Sequence, residues 1–103
     1  MKVRVIARTP SVRIDGVLMS YTFSKLVDLP FRPRQNDELI LCIGKHTYCV
    51  KVNIRQWGEK EREIRAIGEF VMRFDDMDAD QRKESLEYQR TVIIAGGWKF
   101  WYG

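Results

Sequence analysis

The sequence is poor in the residues from which active sites are usually built. It has one histidine, His46, and two cysteines, Cys42 and Cys49. Two cysteines are too few for a disulfide scaffold. A single histidine, with no glycine-rich phosphate loop and no nucleophile elbow, speaks against an enzyme. Structural zinc takes four ligands, usually from two separated pairs, and Cys42, His46 and Cys49 offer three. The expectation is therefore no metal and no cofactor. No stretch approaches the roughly 18 apolar residues of a membrane helix, so no membrane partner is expected. The opening MKVRVIARTP alternates charged and apolar residues, unlike a signal peptide, which points to an intracellular, cytoplasmic protein.

What is present is ordinary for one folded domain. The 103 residues suffice for a single domain and not for two. Apolar residues make up 45% and charged residues 31%, which excludes a disordered chain. The charge is uneven along the sequence. Residues 1–56 carry 10 Lys/Arg against 4 Asp/Glu, and residues 57–103 carry 8 against 10. A basic, arginine-rich first half suits phosphate or carboxylate partners.

The first half reads as strands. KVRVIA alternates, Thr9-Pro10 interrupts it, and Asp15-Gly16 between apolar residues signals a tight hairpin pairing Ile14 with Val17 and Val12 with Met19. Tyr21 and Phe23 continue the Val17/Met19 face. LPFRPRQNDE is an extended loop. In ELILCIGKHTYCVKV an even-length turn centred on Lys45-His46 would pair Ile43 with Tyr48 and oppose Cys42 to Cys49. EREIRAIGEFVMRF is a further strand, with Gly68 marking a bulge or bend. Its face with Ile67 and Val71 is half apolar, so something should cover part of it.

Asp78 and Gln81 form a capping-box pattern that opens a helix over about 79–95, stopped by Gly96-Gly97. The competing reading ends the helix near Arg90 and makes Thr91–Ala95 a strand. The aromatic tail, residues 98–102, is then a terminal strand or a packed segment. These elements define an α+β domain: a small antiparallel bent sheet, or partial β-barrel of SH3-like or OB-like kind, with about five strands in 2–74 and one C-terminal helix.

Three groups of residues are candidate sites. Trp98, Phe100, Trp101 and Tyr102 form an aromatic tail suited to a protein interface, and lead to the first functional expectation: a non-catalytic adaptor acting through a protein partner or self-association. Arg32, Arg34, Lys45, Lys51, Asn53 and Arg55, with Trp57 beside them, form a basic face suited to nucleic acid, with Lys51, Asn53 and Arg55 in line on one strand face. Cys42 and Cys49, opposed across a hairpin, suggest a redox-sensitive bridge. Asp76, Asp78, Asp80 and Glu87 have the spacing of calcium-loop ligands, but Gln81 stands where that loop turns on glycine.

Overall fold

The computed structural model describes residues 1–74 and 76–102. Its strands are β1 (Lys2–Arg8), β2 (Val12–Ile14), β3 (Val17–Met19), β4 (Thr22–Asp28), β5 (Glu38–Ile43), β6 (His46–Gly58), β7 (Glu63–Phe70) and β8 (Lys99–Phe100). The helix α1 (Ala79–Ala95) lies between β7 and β8. Among the described residues, six strands form a sheet in the order β5-β6-β7-β1-β4-β8, and β2-β3 stands apart as a hairpin. The sheet curls into a half-barrel. Among the described residues no helix is long and apolar enough to cross a membrane.

The curl follows from the strand pattern. Val3, Val5 and Ala7 of β1 are buried on the concave side, opposite Ile64, Ala66 and Gly68 of β7. Phe23, Val50, Val52 and Phe70 share that side with Ile93 of α1 and Trp98. Burying a side chain of this size stabilises by about 1.5–3 kcal/mol, so this single cluster holds the domain together. One pairing departs from the expected antiparallel order: β1 and β7 run parallel. Parallel neighbours need a long connection, and here more than fifty residues separate the two strands.

The first hairpin has the expected register, Ile14 opposite Val17 and Val12 opposite Met19. Asp15 and Gly16 both have positive φ, 52° and 80°, as a type I′ turn requires. Thr9 closes its base: its amide donates to the Tyr21 carbonyl at 2.8 Å, and its hydroxyl oxygen accepts from the Tyr21 amide at 2.9 Å. The Val17/Met19 face does not continue into β4, because the chain breaks at Ser20-Tyr21. Val17 and Met19 are exposed, whereas Phe23 is fully buried. β7 likewise ends at Phe70 rather than Phe74. Phe74 instead joins Val12 and Leu86 in a second, smaller core under the helix N-terminus.

The helix is the long one, with Val92–Ala95 inside it. The Asp78 carboxylate accepts from the Gln81 amide at 2.8 Å and the Gln81 side chain accepts from the Asp78 amide at 3.0 Å. At the other end Gly97, at φ 91°, takes the left-handed position. The Trp98 amide reaches the Ile93 carbonyl and the Gly97 amide the Ile94 carbonyl, a Schellman closure. Trp98 and Ile93 then meet in the core. Tyr21, donating to Glu87 at 2.9 Å, and Lys25, donating to the Gly96 carbonyl at 2.9 Å, tie the helix across the concave mouth.

Candidate nucleic-acid interface

The site begins with a bulge. β6 and β7 are in register from Val50↔Phe70 to Val52↔Gly68 and again from Ile54↔Ile67 onward, which leaves Asn53 as the extra residue. A Cβ at position 68 would collide with the Lys51 carbonyl, so the close approach requires glycine. One extra residue inverts the alternation. Lys51 therefore points to the convex side, opposite Glu69, while Arg55 and Trp57 point to the concave side, opposite Ala66 and Ile64. The expected single stripe of Lys51, Asn53 and Arg55 does not exist.

The inversion brings Arg55 and Trp57 to the loop between β4 and β5. β6 outlasts β5, whose first paired residue, Glu38, opposes Lys51. Beyond that point the loop takes the place of a strand. The Asn36 amide donates to the Val52 carbonyl at 2.7 Å, and the Val52 amide to the Asp37 carbonyl at 2.8 Å. Asp37 also accepts from the Arg34 amide at 2.8 Å. Pro33 and Leu29 anchor the loop by burial. Arg32 and Arg34 are thereby held beside Arg55.

Three adjoining shallow depressions share Arg55. One of about 270 Å³ is lined by Arg32, Arg55, Gln56, Trp57 and Ile64. One of about 340 Å³ lies between Arg34, Gln35 and Arg55. The third, about 560 Å³, adds Phe31 and Asp37 to the three arginines. Two aromatic rings are open to solvent there: Trp57 is 61% exposed and Phe31 47%. Among the described residues none of the three arginines forms an ion pair, whereas Arg4, Arg8, Arg65 and Arg90 are each paired to a glutamate. Phe31 and Gln56 are the members that sequence reasoning missed. Phe31 sits in PFRPR beside both loop arginines, and that adjacency was the available signal.

The other candidates lie elsewhere. Lys45 is in the two-residue turn Gly44-Lys45, and His46 starts β6. Arg55 lies nine residue steps along β6 from His46, on the order of 30 Å. His46 Nε2 instead meets the Tyr88 hydroxyl on the helix at 3.1 Å. The aromatic tail packs mostly on its own domain. Trp98 is buried against Phe70, and Phe100 stacks on Phe23 at 5.2 Å. Trp101 covers the convex side, where it lines a hollow with Ile6, Ile54 and Ile67 and lies under the Arg65 guanidinium at 5.3 Å. It is the expected cover of the half-apolar face. Tyr102 alone extends into solvent, 92% exposed.

The cysteines are not opposed. The turn centres one residue earlier than expected, on Gly44-Lys45, which shifts every partner by two residues, so Ile43 pairs with His46, Cys42 with Thr47 and Cys49 with Ile40. The slip is by a whole two-residue period, which preserves the buried face of Leu39, Ile43, Tyr48 and Val50 while separating the thiols to a diagonal. Gly44 at φ 62° supplies the first position of a II′ turn, which fixes this register. Burial, with the Glu38 carboxylate second, pushes the Cys49 thiol pKa up. Among the described residues no three His, Cys, Asp or Glu side chains are placed to hold a metal ion. Within the calcium-like pattern, Asp78 caps the helix and Glu87 accepts from Tyr21.

No protein-family model, no curated protein and no solved structure matches this chain.

Proposed function

We propose that the protein is a small non-catalytic binding module whose ligand is single-stranded nucleic acid, held on the concave side by Arg32, Arg34 and Arg55. The observation that carries this reading is the bulge at Asn53, which turns Arg55 and Trp57 toward the loop arginines. Three guanidiniums without carboxylate partners suit successive phosphates. Trp57 and Phe31 offer ring faces on which bases stack, worth about 1–3 kcal/mol per base. A shallow, open cleft suits a flexible strand better than an enclosed small molecule. The lining side chains include no Ser, Thr, Cys or His, and their one carboxylate, Asp37, is engaged in accepting from the Arg34 amide, which is why a binding role is preferred to a catalytic one.

The test is fluorescence anisotropy with labelled single- and double-stranded oligonucleotides across a salt series. Three phosphate contacts to a single strand give a slope of about −2 in log K against log salt. Single-strand binding with that slope, lost in Arg55→Glu, is the expected result. Absence of binding at low salt would retire the reading and return the search to protein partners.

A further inference from the structure

The sheet ends on an unprotected strand. Among the described residues β5 pairs with β6 alone, and the sheet order places no strand on its other side. The two-residue turn makes Ile43↔His46 a hydrogen-bonded pair, so Leu41↔Tyr48 and Leu39↔Val50 are hydrogen-bonded too. The Val52 amide donating to the Asp37 carbonyl continues the same set. The amides and carbonyls of Ile40 and Cys42 therefore point outward along the edge. Natural sheets guard such edges with proline, lysine, a bulge or a covering element. Glu38–Ile43 reads ELILCI and has no proline, no lysine and no register break. Ile40 is 65% exposed and Cys42 is exposed as well.

We propose that this edge pairs with β5 of a second copy of the chain, antiparallel about a two-fold axis, so that two half-barrels share one continuous sheet. A two-fold axis perpendicular to the sheet opposes only residues of the same face. With the axis at Leu41, Ile40 of one subunit faces Cys42 of the partner subunit, and the reverse. Each opposed pair is apolar, and each carries the outward backbone groups that need partners. The same register sets Asp37 of one subunit against Lys45 of the partner subunit at both ends of the pairing, and brings Glu38 beside that turn. The edge is thus complementary to itself in hydrogen bonding, in apolar side chains and in charge. The proposal shares only Asp37 with the rim of the arginine cleft and does not rest on the nucleic-acid reading, since Arg32, Arg34 and Arg55 take no part in the pairing.

Light scattering coupled to size exclusion, run from micromolar to near-millimolar chain, tests it. The expected result is a mass that rises toward twice the 12.2 kDa of one chain. Ile40→Lys should hold the mass at one chain throughout, with far-UV circular dichroism unchanged and the thermal midpoint equal to that of the wild type at concentrations where the wild type is a single chain. Cys42→Lys, at the second outward position, reads the same way if Ile40→Lys fails to fold. Lys45→Glu should weaken the dimer by placing like charges at both ends of the pairing. A single-chain mass for the wild type at all concentrations overturns the proposal. So does a dimer that survives both edge lysines, because it uses another surface. A dimer indifferent to Lys45→Glu overturns the axis at Leu41.

Discussion

The carbonyl oxygen of Lys51 occupies the space that a Cβ on residue 68 would need. This contact between β6 and β7 sets the bulge, and the bulge decides which way Arg55 points. Gly68→Ala is therefore expected to destabilise the domain by about 1–3 kcal/mol, the usual cost of forcing atoms into a packed interior. Urea denaturation measures it. A loss below a few tenths of a kcal/mol would mean that the two strands separate easily there.

Lys51 and Arg55 are expected to behave differently although they are four residues apart on one strand. Lys51→Glu, on the convex side, should leave oligonucleotide affinity nearly unchanged. Arg55→Glu should abolish most of it, and Trp57→Ala should cost about 1–3 kcal/mol of binding with a shallow effect on the salt slope. Equal losses from Lys51→Glu and Arg55→Glu in the anisotropy titration would contradict the split face.

The thiols should respond unequally. Cys42 is exposed, while Cys49 is partly covered and its thiol pKa is raised by burial and by Glu38. Alkylation near pH 8, followed by mass spectrometry, should modify Cys42 first. Mild oxidant should produce no bridge within one chain, because a disulfide needs Cβ atoms roughly 3.5–4.5 Å apart and diagonal neighbours stand farther off. An intramolecular Cys42–Cys49 link in the peptide map would refute the observed register.

Stability should fall on the alkaline side. Burial raises the pKa of Tyr48 above the ordinary 10.0, with the nearby Tyr88 adding to it. Burial also raises that of Tyr21, with Glu87 second. A group whose pKa is higher in the folded state contributes its full stabilisation below the unfolded pKa and loses it as pH rises through the folded value. The thermal midpoint should accordingly drop above pH 10, and Tyr48→Phe should flatten that drop. A wild-type midpoint constant from pH 9 to 11 would show that neither hydroxyl titrates with unfolding.

Removing the helix cap should cost about 1 kcal/mol. Asp78→Ala deletes the acceptor for the Gln81 amide at the N-terminus of α1, and guanidinium denaturation reads the difference.

Local signals in the sequence were read correctly where one short stretch determines the geometry. Asp15-Gly16 specifies its own hairpin because both residues tolerate positive φ. Asp78 and Gln81 cap a helix by atoms three residues apart, and Gly97 ends it by a conformation that other residues resist. What escaped is non-local or depends on a single residue's offset. The parallel pairing of β1 with β7 leaves no mark in either strand's alternation. Gly68 flagged an irregularity, but the extra residue is on the facing strand at Asn53, and a shift of one there reverses Arg55 and Trp57. The Cys42/Cys49 opposition failed because a hairpin slipped by two residues buries the same side chains, so apolar alternation cannot tell the two registers apart. The convergence of Arg32 and Arg34 on Arg55 depends on a loop crossing that only the assembled sheet provides.

The tail has a consequence for how the domain is made. Phe100 pairs with Phe23, Trp98 enters the main core, and Trp101 seals the opposite side of the sheet. A ribosome must therefore carry synthesis through residue 100 before the strand begun at Thr22, which pairs on one side with Lys2–Arg8, can find its second neighbour. Until residue 100 has cleared the exit tunnel, the growing polypeptide holds an open sheet with a bare edge at the strand begun at Thr22, and completion of the domain is expected to wait for that residue.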